Sequence, residues 1–281
     1  MTLTQVGQKH LDMTRNRRLA VASASDRIYA CRMDAPAAVD TRRALFAGLI
    51  DHAPTFPPEE LPLAEGLVEH RRARTSEHGW IVNRFVCPAS KLRDVGDDPL
   101  RLSVVLNTGT LPEPDERIEA VEAAGIDPEI LFDAAPEVYV ELPLRDDVSF
   151  RLLQLKELGL RAKVRCGGAA IPPVPALAEF VHACRRLEIS FKATAGLHQP
   201  LRHDDEHGFL NVLAAAVFGD EEEALGDEDP GAFSVDEEAF RWRDRSAGAE
   251  EIARVRRDLF VSFGSCSAQE PIDGLAALGL L

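Results

Sequence analysis

A single (β/α)₈ barrel of the TIM type is the fold that this sequence predicts. Segments typical of strands and helices alternate about eight times between residue 41 and residue 281. That number and length are typical of such barrels, which contain about 250 residues. The main alternative, a doubly wound dinucleotide-binding sheet, is disfavoured because no Gly-x-Gly-x-x-Gly follows an early strand.

Each predicted strand is a short apolar run, and proline or glycine follows most of them, as Pro88 and Gly109 do. The predicted strands cover residues 45–52, 80–87, 102–108, 138–142, 162–167, 189–195, 232–235 and 259–264. Helical periodicity predicts helices over residues 59–75, 112–124, 146–158, 175–187, 204–218, 250–257 and 271–280. In the second of these, Ile118 and Val121 are spaced for one face. Residues 1–40 are Arg-rich without periodicity, and we interpret them as an arm outside the barrel.

Composition excludes several classes of partner. The net charge of −15 argues against nucleic-acid binding, and no apolar run approaches the ~20 residues of a membrane span. The five cysteines are odd in number and lack Cys-x-x-Cys spacing, which predicts neither a disulfide framework nor a zinc ribbon. We therefore expect a cytoplasmic protein that binds a small anionic metabolite, without a cofactor, and that can form a homo-oligomer. The acidic residues 220–229 are expected to form a solvated loop.

Polar side chains concentrate where the predicted strands end. In TIM barrels the carboxyl ends of the strands form the active site. Alternation places Lys163 and Arg165 on one face of their strand, opposite an apolar face that suits contact with the helices. An anionic substrate is indicated, because arginine offers forked donors to carboxylates and phosphates. The candidate residues are Asp51, His52, Arg84, Asn107, Glu141, Lys163, Arg165, Lys192, Thr194, Gly264 and Ser265.

Two motifs resemble those of deoxyribose-phosphate aldolase. Phe191-Lys192-Ala193-Thr194-Ala195-Gly196 is similar to that family's sixth-strand motif, whose lysine forms a Schiff base. Phe263-Gly264-Ser265-Cys266-Ser267 is similar to its eighth-strand phosphate turn. The family has a second lysine on strand seven, and the predicted strand at 232–235 contains no lysine. The family also has an acidic residue on an early strand, whereas the predicted third strand of this chain ends at Asn107. Over residues 41–281 the chain also resembles a bacterial barrel family that carries the sequence motifs Leu49-Ile50-Asp51-His52-Ala53 and His207-Gly208-Phe209-Leu210-Asn211-Val212. This second resemblance implies a fold and no activity.

The resemblance implies an aldol-type lyase in which Lys192 attacks a carbonyl. The attacking lysine must be unprotonated, and burial together with Lys163 or Arg165 is expected to lower the pKa of Lys192. Glu141 is then the general acid and base. Thr194 orders a water molecule or a substrate hydroxyl.

Two further functions stay open from the residues alone. His198, His203 and His207 follow the predicted sixth strand, and His203 and His207 are four residues apart, as on one helical face. They predict, as an alternative, a divalent-metal lyase, isomerase or hydrolase. The other alternative is a barrel that binds a metabolite without catalysis.

Overall fold

Eight parallel strands close into a barrel in the computed structural model, which describes residues 40–145, 147–168 and 171–281. The predicted arm at residues 1–40 lies outside the described residues, except for Asp40. Parallel strands are joined by crossover connections, and α-helices form those at residues 63–75, 148–158 and 174–187, whereas the connections at 89–101, 106–117 and 125–136 contain no α-helix. The barrel strands are β1 (Ile50–His52), β2 (Val82–Pro88), β3 (Leu102–Val105), β4 (Ile118–Ala124), β5 (Glu137–Glu141), β6 (Arg161–Arg165), β7 (Phe191–Thr194) and β11 (Phe260–Ser265).

Helices cover the outside of the barrel with their apolar faces. The helix α4 (Val174–Leu187) buries Leu177, Phe180 and Val181, for example, and the ring of Phe180 meets the ring of Phe191 on β7 edge to face. No helix within the described residues is long and apolar enough to cross a membrane. The helices are α1 (Thr41–Phe46), α2 (Leu63–Thr75), α3 (Val148–Leu158), α4 (Val174–Leu187), α5 (Phe209–Phe218), α6 (Glu221–Gly226), α7 (Ala249–Asp258) and α8 (Gln269–Ala277).

The predicted helix at residues 112–124 is wrong, because residues 118–124 form strand β4 between β3 and β5. Ala120, Val121 and Ala123 are all buried, so both faces of this segment are covered by the rest of the protein. A fully buried parallel strand lacks the period-two alternation that identifies a strand. The three-residue spacing of Ile118 and Val121 therefore indicated a helix where none forms.

The predicted seventh barrel strand is also wrong. Residues 233–235 form β8 (Phe233–Val235), which pairs antiparallel with β9 (Phe240–Trp242) in a small sheet completed by β10 (Arg245–Ala247). Strand β11 instead pairs with both β7 and β1 and closes the barrel. One barrel strand was missed and one was predicted where none forms, so the total stays at eight. Counted in the structure, Lys163 lies on the sixth barrel strand and Lys192 on the seventh, each one strand later than predicted.

Two boundaries differ from the prediction for local reasons. Asp40 accepts a hydrogen bond from the Arg42 amide and caps α1, so residues 45 and 46 are helical and the first strand begins only at Ile50. The acidic stretch is not a solvated loop throughout, because its first half forms α6. Asp227 next accepts hydrogen bonds from the Trp242 indole and from Arg243 of the small sheet, both at 3.0 Å.

We expect a chain that lacks residues 1–38 to fold as one unit, because the closed barrel lies entirely within residues 40–281. Thermal unfolding followed by circular dichroism should show a single cooperative transition, within a few degrees of the full chain. Loss of that transition would mean that the first 38 residues belong to the core.

Candidate active site

A cavity of about 560 Å³ opens at the carboxyl ends of the barrel strands. Its walls come from the strand ends and from the loops that follow β1, β6, β7 and β11. This is the end of the barrel at which TIM-barrel enzymes carry their chemistry. The predicted residues that line it are Glu141, Lys163, Arg165, Thr194, Gly264 and Ser265.

A row of alternating charges runs from the sealed interior of the barrel to this cavity. Lys192 Nζ lies 2.6 Å from Asp51 Oδ2 and 2.6 Å from Glu122 Oε1. The other oxygen of Glu122 lies 3.2 Å from Lys163 Nζ, and Lys163 Nζ lies 3.0 Å from Glu141 Oε2. The row therefore links β1, β7, β4, β6 and β5 through side chains that all point into the barrel.

Lys192 occupies the sealed part of the row. Its side chain is fully buried and does not line the cavity. Burial alone would lower the pKa of Lys192, but the charges and hydrogen bonds of Asp51 and Glu122 outweigh it and raise that pKa above its ordinary value. The expectation of a lowered pKa is wrong, because Lys192 meets two carboxylates rather than Lys163 and Arg165.

The two carboxylates around Lys192 are correspondingly held ionised. Burial would raise the pKa of both Asp51 and Glu122, yet the positive charge of Lys192 keeps both pKa values below the ordinary range. Hydroxyl donors complete the set, since Ser262 Oγ lies 2.8 Å from Asp51 and Ser103 Oγ 2.7 Å from Glu122. Buried carboxylates with this many donors are oriented as well as charged.

Lys163 differs from Lys192 because it reaches the cavity. It is paired in register with Lys192 on the neighbouring strand, yet it lines the cavity together with Glu122 and Glu141. Arg165, two residues further along β6, is half exposed and lies 3.9 Å from Glu141. Lys163, Glu141 and Arg165 thus form the exposed end of the charge row.

Two glycines bring the loops after β6 and β7 into contact at the cavity wall. A Cβ atom on Gly167 would lie 2.5 Å from the Cα atom of Gly196, and Gly196 also has a φ of +69°. Any side chain at either position would separate the loops. The contact holds the ends of the strands that carry Lys163 and Lys192 side by side.

Besides Lys192, four predicted site residues lie away from the cavity. Arg84 pairs with Glu119 at 3.0 Å and Glu137 at 2.8 Å, near the amino ends of β4 and β5. Asn107 is exposed and donates a hydrogen bond to Ser90. The remaining two are Asp51, sealed beside Lys192, and His52, whose Nδ1 lies 3.3 Å from that of His70 on α2.

The three histidines proposed as metal ligands have separate partners. His198 Nδ1 lies 3.1 Å from Glu270, and the exposed His203 lies 2.8 Å from Asp204. His207 Nε2 lies 2.7 Å from the carbonyl oxygen of Pro172. Residues 40–145, 147–168 and 171–281 contain no group of three His, Cys, Asp or Glu placed to hold a metal ion, and the three-histidine site stays a prediction.

Glu122 is the site residue that sequence reasoning missed. It contacts both lysines of the row, but its segment was predicted to be helical. The available signal was an acidic residue inside the run Ile118–Ala124, which is otherwise mostly apolar. Buried carboxylates are rare unless paired, so this residue indicated a cationic partner.

Comparison with known proteins adds one structural similarity. No family model and no curated protein matches the chain. Among the solved structures that match is the tetrameric deoxyribose phosphate aldolase from Aeropyrum pernix, with 13% sequence identity over 86% of this chain and 100% of that one, and a TM-score of 0.43. That protein belongs to the family whose motifs the sequence resembles. At this identity and TM-score the similarity assigns the chain neither an activity nor a substrate.

Replacing Lys192 with Met should destabilise the barrel by about 3–5 kcal/mol, because Asp51 and Glu122 are left buried without their cation. Urea unfolding monitored by circular dichroism measures the loss. The matched control is Lys156→Met on α3, where a half-exposed lysine pairs with Glu188 and the expected change is below about 1 kcal/mol. Equal effects of the two substitutions would contradict the assigned role of Lys192.

The deficit of Lys192→Met should also depend on pH. In the wild type the pKa of Glu122 is lowered, so its stabilising contribution is present above the unfolded pKa of about 4.3 and is lost only in stronger acid. Without Lys192, burial dominates and raises the folded pKa of Glu122, which makes the variant relatively more stable where Glu122 is protonated. The difference in unfolding free energy from the wild type should therefore narrow between pH 8 and pH 5. A constant difference would be inconsistent with this account.

Proposed function

We propose that the chain is an aldol-type lyase that forms a Schiff base between Lys163 and a small anionic carbonyl compound. The observation that carries this proposal is the placement of Lys163 between two carboxylates at the cavity. Among the described residues, Lys163 is the lysine that lines the cavity, whereas Lys192 is sealed beneath it. A nucleophile has to reach its substrate, so the role first predicted for Lys192 passes to Lys163.

Strand order supports the same choice. In the aldolase family that the motifs resemble, the Schiff-base lysine stands on the sixth strand and a second lysine on the seventh. With β4 counted, Lys163 on β6 and Lys192 on β7 occupy these two positions. Glu122 on β4 then supplies an acidic residue on an early strand. The second lysine and the early acidic residue thereby gain counterparts, whereas the motif resemblance at residues 191–196 falls on the seventh strand, around the second lysine.

The chemistry follows from the contacts of Lys163. Lys163 Nζ first passes a proton to Glu141, 3.0 Å away, and the free amine attacks the substrate carbonyl carbon. The protonated Glu141 then gives its proton to the carbinolamine hydroxyl, which leaves as water and yields an iminium ion. A group within hydrogen-bond reach must move protons in these steps, and Glu141, 3.0 Å from Nζ, is placed for it. Glu141 then removes the proton of the substrate's β-hydroxyl. The Cα–Cβ bond breaks, its electrons pass to the iminium, and an aldehyde leaves.

Glu122 and Lys192 act as positioning residues in this scheme. The fixed charge of Lys192 and the Ser103 hydroxyl bind one oxygen of Glu122, which leaves the other oxygen directed at Lys163. An oriented carboxylate below the amine limits the directions in which Nζ can point. Holding Nζ in a narrow range of orientations lowers the entropic cost of reaching the geometry for attack on the carbonyl.

Cationic and polar groups at the rim support an anionic substrate. Arg165 lines the cavity with its guanidinium half exposed, and Gly264 and Ser265 line it at the end of β11, two strands from β6. Guanidinium groups and backbone amides of small-residue turns both bind phosphate and carboxylate oxygens. We therefore propose a phosphorylated or carboxylated aldehyde or ketone as the substrate.

Borohydride trapping tests the nucleophile. Incubation with glyoxylate or pyruvate followed by sodium borohydride should add one substrate to the peptide that contains Lys163 and leave the Lys192 peptide unmodified. Lys163→Arg should abolish the adduct and retain the thermal transition, because arginine keeps the charge without a titratable amine. An adduct that maps to Lys192, or a wild type that traps none of a panel of small carbonyl compounds, would contradict the proposal.

A pair of aldehydes tests the anion specificity. Glyoxylate carries a carboxylate, whereas glycolaldehyde is neutral and of similar size. Replacing Arg165 with Gln should raise the glyoxylate concentration for half-maximal trapping about tenfold, the loss expected for one charged hydrogen bond, and leave glycolaldehyde trapping unchanged. An equal effect on both aldehydes would show that Arg165 does not recognise the anion.

A further inference from the structure

One side of the barrel lacks the α-helices that cover the rest. The connections at residues 89–101, 106–117 and 125–136, which lie between β2 and β5, contain no α-helix. In a TIM barrel each strand is ordinarily followed by a helix that packs over the strands. The last of these connections contains a short 3₁₀ helix instead, Pro128–Leu131, which lies beside α3. We call the outer surface formed by α3 and residues 125–136 the flank surface.

Large apolar side chains are exposed on the flank surface. Phe150 on α3, at 64%, is the most exposed large apolar residue in the described part of the chain. Leu153 follows it by three residues, on the same face of the helix, and is also exposed. Ile130, exposed by 56%, lies on the neighbouring 3₁₀ helix. Single exposed apolar residues are common, but a group of them on adjacent elements is typical of an interaction surface.

Opposite charges divide the flank surface into two halves. Helix α3 carries two basic residues and one acidic residue, and Arg151 stands directly after Phe150. Residues 125–136 carry three acidic residues and no basic one, and the exposed Glu129 stands directly before Ile130. Within the described residues neither Arg151 nor Glu129 forms an ion pair. Each half therefore offers an exposed apolar side chain next to an unpaired charge, and the two charges are opposite.

We propose that the flank surface joins two copies of this chain about a two-fold axis. In such an isologous contact, α3 of one copy meets residues 125–136 of the other, and symmetry repeats the same contact. Phe150 and Leu153 then cover Ile130 of the partner subunit, and Arg151 pairs with Glu129 of the partner subunit. The contact lies on the outer wall of the barrel, so it is independent of the chemistry proposed for Lys163.

Charge is the reason for choosing a second copy as the occupant. With a net charge of −15, two copies repel each other over most of their surfaces. A contact between them forms where positive charge on one copy faces negative charge on the other. The flank surface carries both signs side by side, so a two-fold rotation places each half against the half of opposite charge.

Sedimentation velocity tests the contact. The full chain should sediment as a dimer at micromolar concentration, and Phe150→Glu should convert it to a monomer. Arg151→Glu and Glu129→Arg should each weaken the dimer at least about tenfold, because each places like charges opposite one another twice. The matched control is Val68→Glu on α2, at a residue about as exposed as Phe150 but outside the flank surface, and this variant should remain dimeric. Thermal unfolding checks that every variant is folded.

Mixing the two charge variants tests whether the pairing occurs between copies. Arg151→Glu has two negative charges at the contact and Glu129→Arg has two positive ones, so each repels itself and pairs with the other. An equimolar mixture of the two should therefore form a heterodimer. A monomeric wild type would overturn the proposal and leave the flank surface to a different partner. Dimers that persist in both charge variants, or a mixture that stays monomeric, would overturn it as well.

Discussion

A buried ammonium group between two buried carboxylates is the constraint on which this barrel depends. Removing three charges from water costs several kcal/mol per ion, and their contacts offset that cost only when the geometry is tight. Lys192 meets Asp51 and Glu122 at 2.6 Å each, and hydroxyl groups of Ser262 and Ser103 occupy further lone pairs. The group joins β1, β4 and β7 across the interior. The same three side chains therefore fix the positions of these strands relative to one another and the charges beneath the cavity.

That constraint separates two lysines which look equivalent along the chain. Lys163 and Lys192 are register partners on adjacent strands and point into the barrel alike. Asp51 and Glu122 surround Lys192, whereas Lys163 shares Glu122 and keeps one side toward the cavity. Lys192, sealed from the cavity between its two carboxylates, serves as a fixed cation. Lys163, between Glu122 and Glu141, is the lysine that lines the cavity.

The sequence predicted the barrel and the residue types of its cavity, because both depend on local alternation. Lys163, Glu141, Thr194 and Ser265 were found as charged or polar residues near strand ends. Parity gives the face of a side chain but neither its depth nor its partner, so Arg84 and Lys192 were placed in the wrong surroundings. β4 was missed because a strand buried on both faces carries no period of two. Because β4 was missed, Glu122 was missed as well, and Glu122 is the residue that contacts both Lys163 and Lys192.

Inward-pointing charged residues differ in their surroundings according to their position along the barrel axis. At the amino ends of the strands, Arg84 and Arg161 are neutralised by Glu119 and Glu137, and a closed ion-pair network there contributes to stability. The middle layer, around Lys192, is equally closed. At the carboxyl ends the pairing is incomplete toward the cavity: the Arg165 side chain is half exposed, and His198 faces the same space as Lys163. Reactive groups belong where charge is oriented by the protein but not fully paired within it, and this end of the barrel meets both conditions.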